Sequence, residues 1–363
     1  MPRAAAHEPT GPGAAFATDV ERYRDNWVRH LLGIAHDLER RVVTRLAVEG
    51  GYAPLRASQG PVLSLVWNEP RPLMQLAQAL SISRQACTKL VQSMEQSGYV
   101  ERVDGERAQQ VRLTHRGTQL VRDAVRMILE AQSAYADRVG QARLDRFITA
   151  AASLFFDLGL HEQTDPTLGE TARRSIGVLP LIARRVEEEL REATRAKGHD
   201  VLQLSHARLI ALIGHEGARV SELSRLQGVS RQATSATVRS IETLGYARRE
   251  SDESDGRGVR VVLTRRGRTL IGDSLSALDE LEGRFRGILG TRRWRDLLDV
   301  AADLHATLLA EDETLDVAAA AGRITPSEPE LRGVAERLVE HLGPEASSRL
   351  GDLLRVAADA RRA

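Results

Sequence analysis

The 363-residue chain carries 51 basic and 50 acidic side chains, a formal charge of +1, and 42% of it is hydrophobic. That is enough for about two packed domains, and the balanced charge excludes a uniformly polybasic chain, so any nucleic-acid surface must be a local basic patch. A single cysteine excludes an intramolecular disulfide and a Cys-rich metal site, and no apolar run approaches the roughly 18 residues of a membrane-spanning helix.

In chain order, residues 1–18 are rich in Ala, Gly and Pro with no apolar signal core, and are expected to be a disordered leader. A long first helix follows over 19–48, with Leu31, Ile34 and Leu38 on one face. A helix from Ser58, a short helix over 72–80 and a helix opened by Ser83 come next; Ser83 is a good N-cap and Gly98 a good C-terminal stop. Two short strands, 99–103 and 110–113, flank an Asp104-Gly105 turn, a hairpin signal. Thr114 is placed to cap a long helix over 115–138, which breaks at Gly140 before a last apolar helix over 142–159.

The series then recurs. Residues 83–102 read SRQACTKLVQSMEQSGYVER and residues 230–249 read SRQATSATVRSIETLGYARR, in register at an offset of 147. Downstream, LTHRGTQL at 113–120 matches LTRRGRTL at 263–270 at an offset of 150. The second set has a first helix over 175–197, a helix from Ser205, a short helix over 218–226 and a Ser230-capped helix stopped by Gly245. A hairpin over 246–263 around Asp255-Gly256 and helices over 265–288 and 292–310 complete it. A period this long reads as duplication of a whole domain rather than a solenoid. The expected organisation is a first domain over 19–160, a linker over 161–174, a second domain over 175–312 and a helical extension over 313–363, whose LLRVAAD at 353–359 echoes LLDVAAD at 297–303. Low aromatic content, 4%, favours cores of Leu, Val, Ile and Ala in a mainly α fold with small β wings.

A helix, a turn, a Ser-capped helix and a hairpin make a winged helix-turn-helix, whose second helix fits the DNA major groove while the first helix and wing rest on phosphates. Arg84 and Arg231 have the donor geometry for guanine, Gln85 and Gln232 for adenine, and Ser83 and Ser230 offer a hydroxyl and a helix N-terminus to phosphate. Thr88, Lys89, Ser235 and Arg239 continue the candidate DNA-facing set along the same helices, and Arg107 and Arg257 stand at the hairpin tips. Arg102, Arg112, Arg248, Arg249 and Arg260 lie on wing strands, where phosphate and plain solvent are both open readings. Head two is the more basic: residues 230–268 hold nine arginines against five carboxylates, whereas 83–118 hold six basic and four acidic groups.

Over 19–160 and again over 175–310 the chain resembles the multiple-antibiotic-resistance regulator (MarR) family. The resemblance rests on the long first helix, the recognition helix ending in Glu-x-x-Gly-Tyr, the wing, Leu-Thr-x-x-Gly and two terminal helices. It implies a double-stranded-DNA-binding transcription regulator with paired winged heads on a helical platform, released by a small-molecule effector. Family members are usually single-copy chains that pair; this chain carries both copies and is expected to act as a pseudo-dimer on an imperfect inverted repeat, in the cytoplasm. The terminal helices imply a surface for homodimerisation. The alternative is a protein-interaction module on a duplicated winged-helix fold that has lost DNA binding.

An effector pocket between platform and head is expected to draw on Trp27, His30, Tyr52 and Trp67. Cys87, the sole thiol, sits in the first recognition helix opposite Thr234 and is read as a packing or phosphate-facing residue, since no second cysteine could resolve an oxidised one. No metal-ligand spacing, cofactor loop or catalytic constellation is legible, so no metal, cofactor, membrane or enzymatic role is expected.

Overall fold

The two long helices that run from head to platform set the architecture. The computed structural model describes residues 12–320 except 54, 57, 106–108, 164, 166–173, 200, 201, 203, 228 and 252–258. The first copy comprises α1 (Pro12–Arg24), α2 (Trp27–Val48), α3 (Gln59–Leu65), β1 (Arg71–Pro72), α4 (Leu73–Ala79), α5 (Arg84–Gln96), β2 (Val100–Val103), β3 (Gln110–Leu113), α6 (His115–Val139) and α7 (Gln141–Asp157). The second comprises α8 (Leu179–Ala196), α9 (Leu204–Ile213), β4 (Ala218–Arg219), α10 (Val220–Gln227), α11 (Arg231–Thr243), β5 (Ala247–Ser251), β6 (Val259–Leu263) and α12 (Arg265–Ala320). Both heads, with their platform helices, lie in one compact unit that ends at Leu308.

The helix α6 buries Leu120, Val121 and Met127 in the core of head one, and Ala131, Tyr135 and Val139 in the platform. The first arm of α12 repeats this, with Leu270, Ile271 and Leu275 in head two and Leu278, Leu281, Phe285 and Leu289 in the platform. At 1.5 Å per residue, the 25 residues of α6 reach about 37 Å without a break. Each long helix then turns at a glycine with positive φ, Gly140 at 88° and Gly290 at 75°, a conformation a side chain would strain. The platform core joins the copies: Trp27 packs on Phe285 and Trp294 at centroid distances of 5.6 and 5.2 Å. His30 and His305 meet across it with their Nδ1 atoms 3.2 Å apart, and burial lowers the pKa of both rings.

Each head is closed by a three-stranded antiparallel sheet, ordered β1-β3-β2 and β4-β6-β5. The two-residue strands at 71–72 and 218–219 go beyond the expected hairpins; each is too short to leave a sequence period. The caps form as expected: Ser83 Oγ accepts from Ala86 N, Ser230 Oγ from Ala233 N, Thr114 Oγ1 from Gly117 N and Thr264 Oγ1 from Gly267 N.

Two expectations about the N-terminus are corrected. Residues 12–18 of the expected disordered leader are helical; 1–11 lie outside the described residues. The expected continuous helix over 19–48 is two helices, because Asn26 leaves the helical region and caps α2 by accepting from Arg29 N. The reason α1 is ordered is non-local. Val20, fully buried, joins the core of head two, with Phe16 and Tyr23 packed beside it. Arg24 donates to the Ala211 and Leu212 carbonyls at 2.5 and 3.0 Å, satisfying the open end of α9. The expected extension begins inside α12, which runs to Ala320; the helices expected around Gly343-Pro344 lie outside the described residues.

The glycine of Leu-Thr-x-x-Gly has a steric cause. A Cβ at Gly117 would stand 1.9 Å from the Tyr99 carbonyl oxygen, and one at Gly267 would stand 2.2 Å from that of Tyr246. Gly117→Ala and Gly267→Ala are each expected to cost about 2–4 kcal/mol in denaturant unfolding. Gly60→Ala, whose Cβ would meet nothing within 4 Å, should be neutral or slightly stabilising. Equal effects at all three positions would refute the close-approach explanation.

Candidate nucleic-acid interface

In both heads the Ser cap and the sheet hold the recognition helix by one side and leave its N-terminal turn in solvent. Cys87, Val91 and Met94 in α5, and Thr234, Val238 and Ile241 in α11, face the head cores. Ser83, Arg84, Gln85 and Lys89 are exposed, as are Ser230, Arg231, Gln232 and Arg239; Thr88 and Ser235 are half-buried beside them. Thr88 Oγ1 donates back to the Arg84 carbonyl at 2.8 Å, which occupies its hydroxyl proton within the helix. The sequence-chosen residues of each recognition helix therefore share one solvent-facing surface. Arg107 and Arg257 lie outside the described residues.

The charges on this surface divide into two kinds. Among the described residues no carboxylate pairs with Arg84, Lys89, Arg231 or Arg239. The wing-strand arginines are engaged within their own heads. Arg112 bonds Glu101 at 2.8 Å, Arg102 lies 3.4 Å from Glu95, Arg249 lies 3.6 Å from Glu242, Arg248 bonds Glu250, and Arg260 donates to the Gly217 carbonyl at 3.0 Å. Arg116 and Arg266, at the first turn of the following helices, lie over the rings of Tyr99 and Tyr246 at 5.8 and 4.7 Å. Among the described cations of the recognition helices and wing strands, those with no carboxylate or carbonyl partner are on the recognition helices.

Cys87 is fully buried, with Sγ 3.7 Å from the Leu73 carbonyl, and burial pushes its thiol pKa up. Of the two roles expected for it, packing is the one the structure places there, and the phosphate-facing role is excluded. A buried thiol held neutral is also a poor oxidation target. Thr234 fills the equivalent place, and its buried hydroxyl has no hydrogen-bond partner among the described residues.

The four residues expected to line an effector pocket do not come together. Trp27 and His30 pack in the platform, Tyr52 is in the head-one core with its hydroxyl donating to Asp123 at 2.7 Å, and Trp67 packs against that same core. Their bulk places them in cores rather than around a space. A cavity of about 540 Å³ does lie between platform and head one, lined by apolar side chains that include Val42, Leu46, Leu63, Val121, Ala124 and Ile128. Pro180 and Leu181 of the second copy close its far side. The sequence signal for it was the apolar run of α2 beyond Leu38. In the second copy α8 borders a separate hollow of about 410 Å³, lined by residues that include Arg185, Glu189, Leu190 and Ala193, in which Arg185 bonds Glu189 at 2.7 Å and Arg284 pairs with the same carboxylate. Among the described residues no group of three or more His, Cys, Asp or Glu could hold a metal, and no helix is long and apolar enough to cross a membrane.

The unpartnered Thr234 hydroxyl gives a measurable asymmetry. Thr234→Val is expected to raise unfolding stability by about 1 kcal/mol, and Cys87→Thr to lower it by about 1–3 kcal/mol. Unfolding midpoints that move in the opposite directions would show that both sites are satisfied in another way.

Two stretches of the chain, 54–109 and 202–258, match the model described as the MarR family. No curated protein gives a significant match. Similar solved structures include the transcriptional regulator Tm0710 from Thermotoga maritima, 24% identical over 38% of this chain and 94% of that one, with a TM-score of 0.30. The YusO protein from Bacillus subtilis is 18% identical over 39% and 90%, TM-score 0.28. A MarR-family transcriptional regulator from Rhodococcus sp. RHA1 is 23% identical over 35% and 93%, TM-score 0.27.

Proposed function

Because the chain carries two MarR-family winged-helix segments, we propose that it is a transcription regulator that binds double-stranded DNA through both heads, as a pseudo-dimer within one chain. The observation that supports this reading is the pair of exposed, Ser-capped helix starts whose arginines and lysine have no carboxylate among the described residues. A free guanidinium at a helix N-terminus is ready to meet a base edge or phosphate, and a cation already paired within its head is not. Arg84, Gln85, Arg231 and Gln232 read bases in this scheme, while Ser83, Lys89, Ser230 and Arg239 hold the backbone. Thr88 and Ser235 pack at the edge of the contact. The helices α6 and α12 fix each head to one platform, so the two readings are made together on an imperfect inverted repeat. Imperfection follows from the heads themselves, which differ at Lys89/Ala236 and Leu90/Thr237.

Selection of bound duplexes from a random pool, followed by polarisation titration against salt, tests the reading. Arg84→Ala and Arg231→Ala are each expected to weaken binding about 5- to 150-fold and to relax base preference in one half-site only. Affinity should fall steeply with salt as counterions are released. No binding to any duplex at low salt would leave the protein-interaction module as the surviving function.

The cavity between platform and head one is in the size range of small-molecule sites, and its lining favours an apolar, ring-sized effector. Ligand held there would bear on α2, α6 and head one together, and so on the angle of one head. Val42→Glu, which puts a carboxylate into the apolar lining, is expected to abolish effector-induced release from DNA in a library screen while leaving DNA affinity within about 3-fold. Release that survives this substitution would place the effector elsewhere.

A further inference from the structure

The interface between the copies is polar in a directional sense. In three ion pairs that cross it, the arginine belongs to the first copy and the aspartate to the second: Arg22 with Asp279 at 2.6 Å, Arg143 with Asp303 at 2.5 Å, and Arg146 with Asp296 at 3.8 Å. The last pair is telling, because Arg146 and Asp296 are equivalent residues at the offset of 150. A residue that faces its own equivalent stands on the axis relating the copies, where two identical copies would set like charge against like. The equivalents of Asp279 and Asp303 are Leu129 and Ser153, so a second first-type copy would offer the three arginines no carboxylate.

The first helices of the copies, α2 and α8, pack on one another and differ in charge at equivalent positions. In the register set by their buried faces, Leu31 with Leu179, Ile34 with Ile182 and Leu38 with Val186, the first copy has Asp37, Arg40 and Arg41 where the second has Arg185, Glu188 and Glu189. Shape agrees with charge. A Cβ at Gly33 would lie 2.1 Å from the His305 ring, and the second copy has Leu181 at the position equivalent to Gly33. Two second-type copies would therefore set the Leu181 side chain against His305, where the native pair has only a glycine.

From these observations we infer that each platform face selects the unlike copy, an arginine-bearing half fitting only an aspartate-bearing half, so that like copies are rejected. The partner this surface fits is the other half of the same molecule. The two faces work as lock and key within one chain. The inference rests on the duplication and the ion pairs, and stands or falls apart from DNA binding.

Charge swaps in the full chain test it. One variant carries Arg22→Asp, Arg143→Asp and Arg146→Asp; a second carries Asp279→Arg, Asp296→Arg and Asp303→Arg; a third carries all six. Each triple should lower the thermal midpoint by about 5 °C at low salt, with the loss narrowing at 0.5 M salt as the repulsion is screened. The six-fold variant, with polarity reversed but complementarity restored, should recover most of the loss. Losses that simply add in the six-fold variant would overturn the inference, and so would triples that melt at the wild-type midpoint. A triple too unstable to purify leaves the six-fold variant to decide: soluble and near wild type supports selection by complementarity, unfolded refutes it.

Discussion

The carbonyl oxygen of Tyr99, with its counterpart on Tyr246, is the point through which each head is tied to the platform. It accepts the amide of Thr114 at 3.1 Å, while the Thr114 hydroxyl donates to the Gly98 carbonyl at 2.6 Å. The second copy repeats both bonds through Thr264, Tyr246 and Gly245. The end of the recognition helix, the wing strand and the first turn of the long helix thus share a handful of backbone atoms. Only a residue without a side chain fits where the long helix crosses that carbonyl. Because the same helix is buried at its far end in the platform, a head has no soft hinge on this side. Its orientation is inherited from helix packing, which is discrete rather than continuously adjustable.

On this shared frame the copies have separated in their electrostatics. Head one has an apolar space behind it, and the second copy has a hollow whose carboxylate is shared by two arginines. A second contrast lies under the recognition helices. Tyr52 bonds Asp123 in the first copy, whereas the equivalent His199 bridges Asp273 and the Tyr246 hydroxyl, at 2.9 Å to each, in the second. The backbone is preserved and the chemistry along it is not, which is what duplication permits once each half is relieved of having to match itself.

Much of this was legible in the amino-acid order because its causes are local. Ser83, Ser230, Thr114 and Thr264 announce helix starts by bonds that span three residues, and Gly98, Gly140, Gly245 and Gly290 announce helix ends by backbone conformation alone. The exposed face of each recognition helix followed from the same spacing. What stayed hidden depends on distant partners. Two-residue strands exist only because β3 and β6 lie beside them. The order of α1 comes from a head almost two hundred residues later. Trp27, His30 and Tyr52 looked like pocket residues because aromatic rings line many pockets, yet rings also fill cores, and sequence spacing does not distinguish the two. The cavity itself is a property of what α8 leaves uncovered, and no single segment encodes that.

The helix at Pro12–Arg24 has a consequence for biosynthesis. Its docking site on α9 leaves the ribosome about 190 residues after Val20, an interval of roughly 10–40 s at ordinary elongation rates. Until then its apolar face, Phe16, Val20 and Tyr23, has no place to go. This helix is therefore seated only after the second half of the chain has been made, and head two is sealed by a segment that precedes head one.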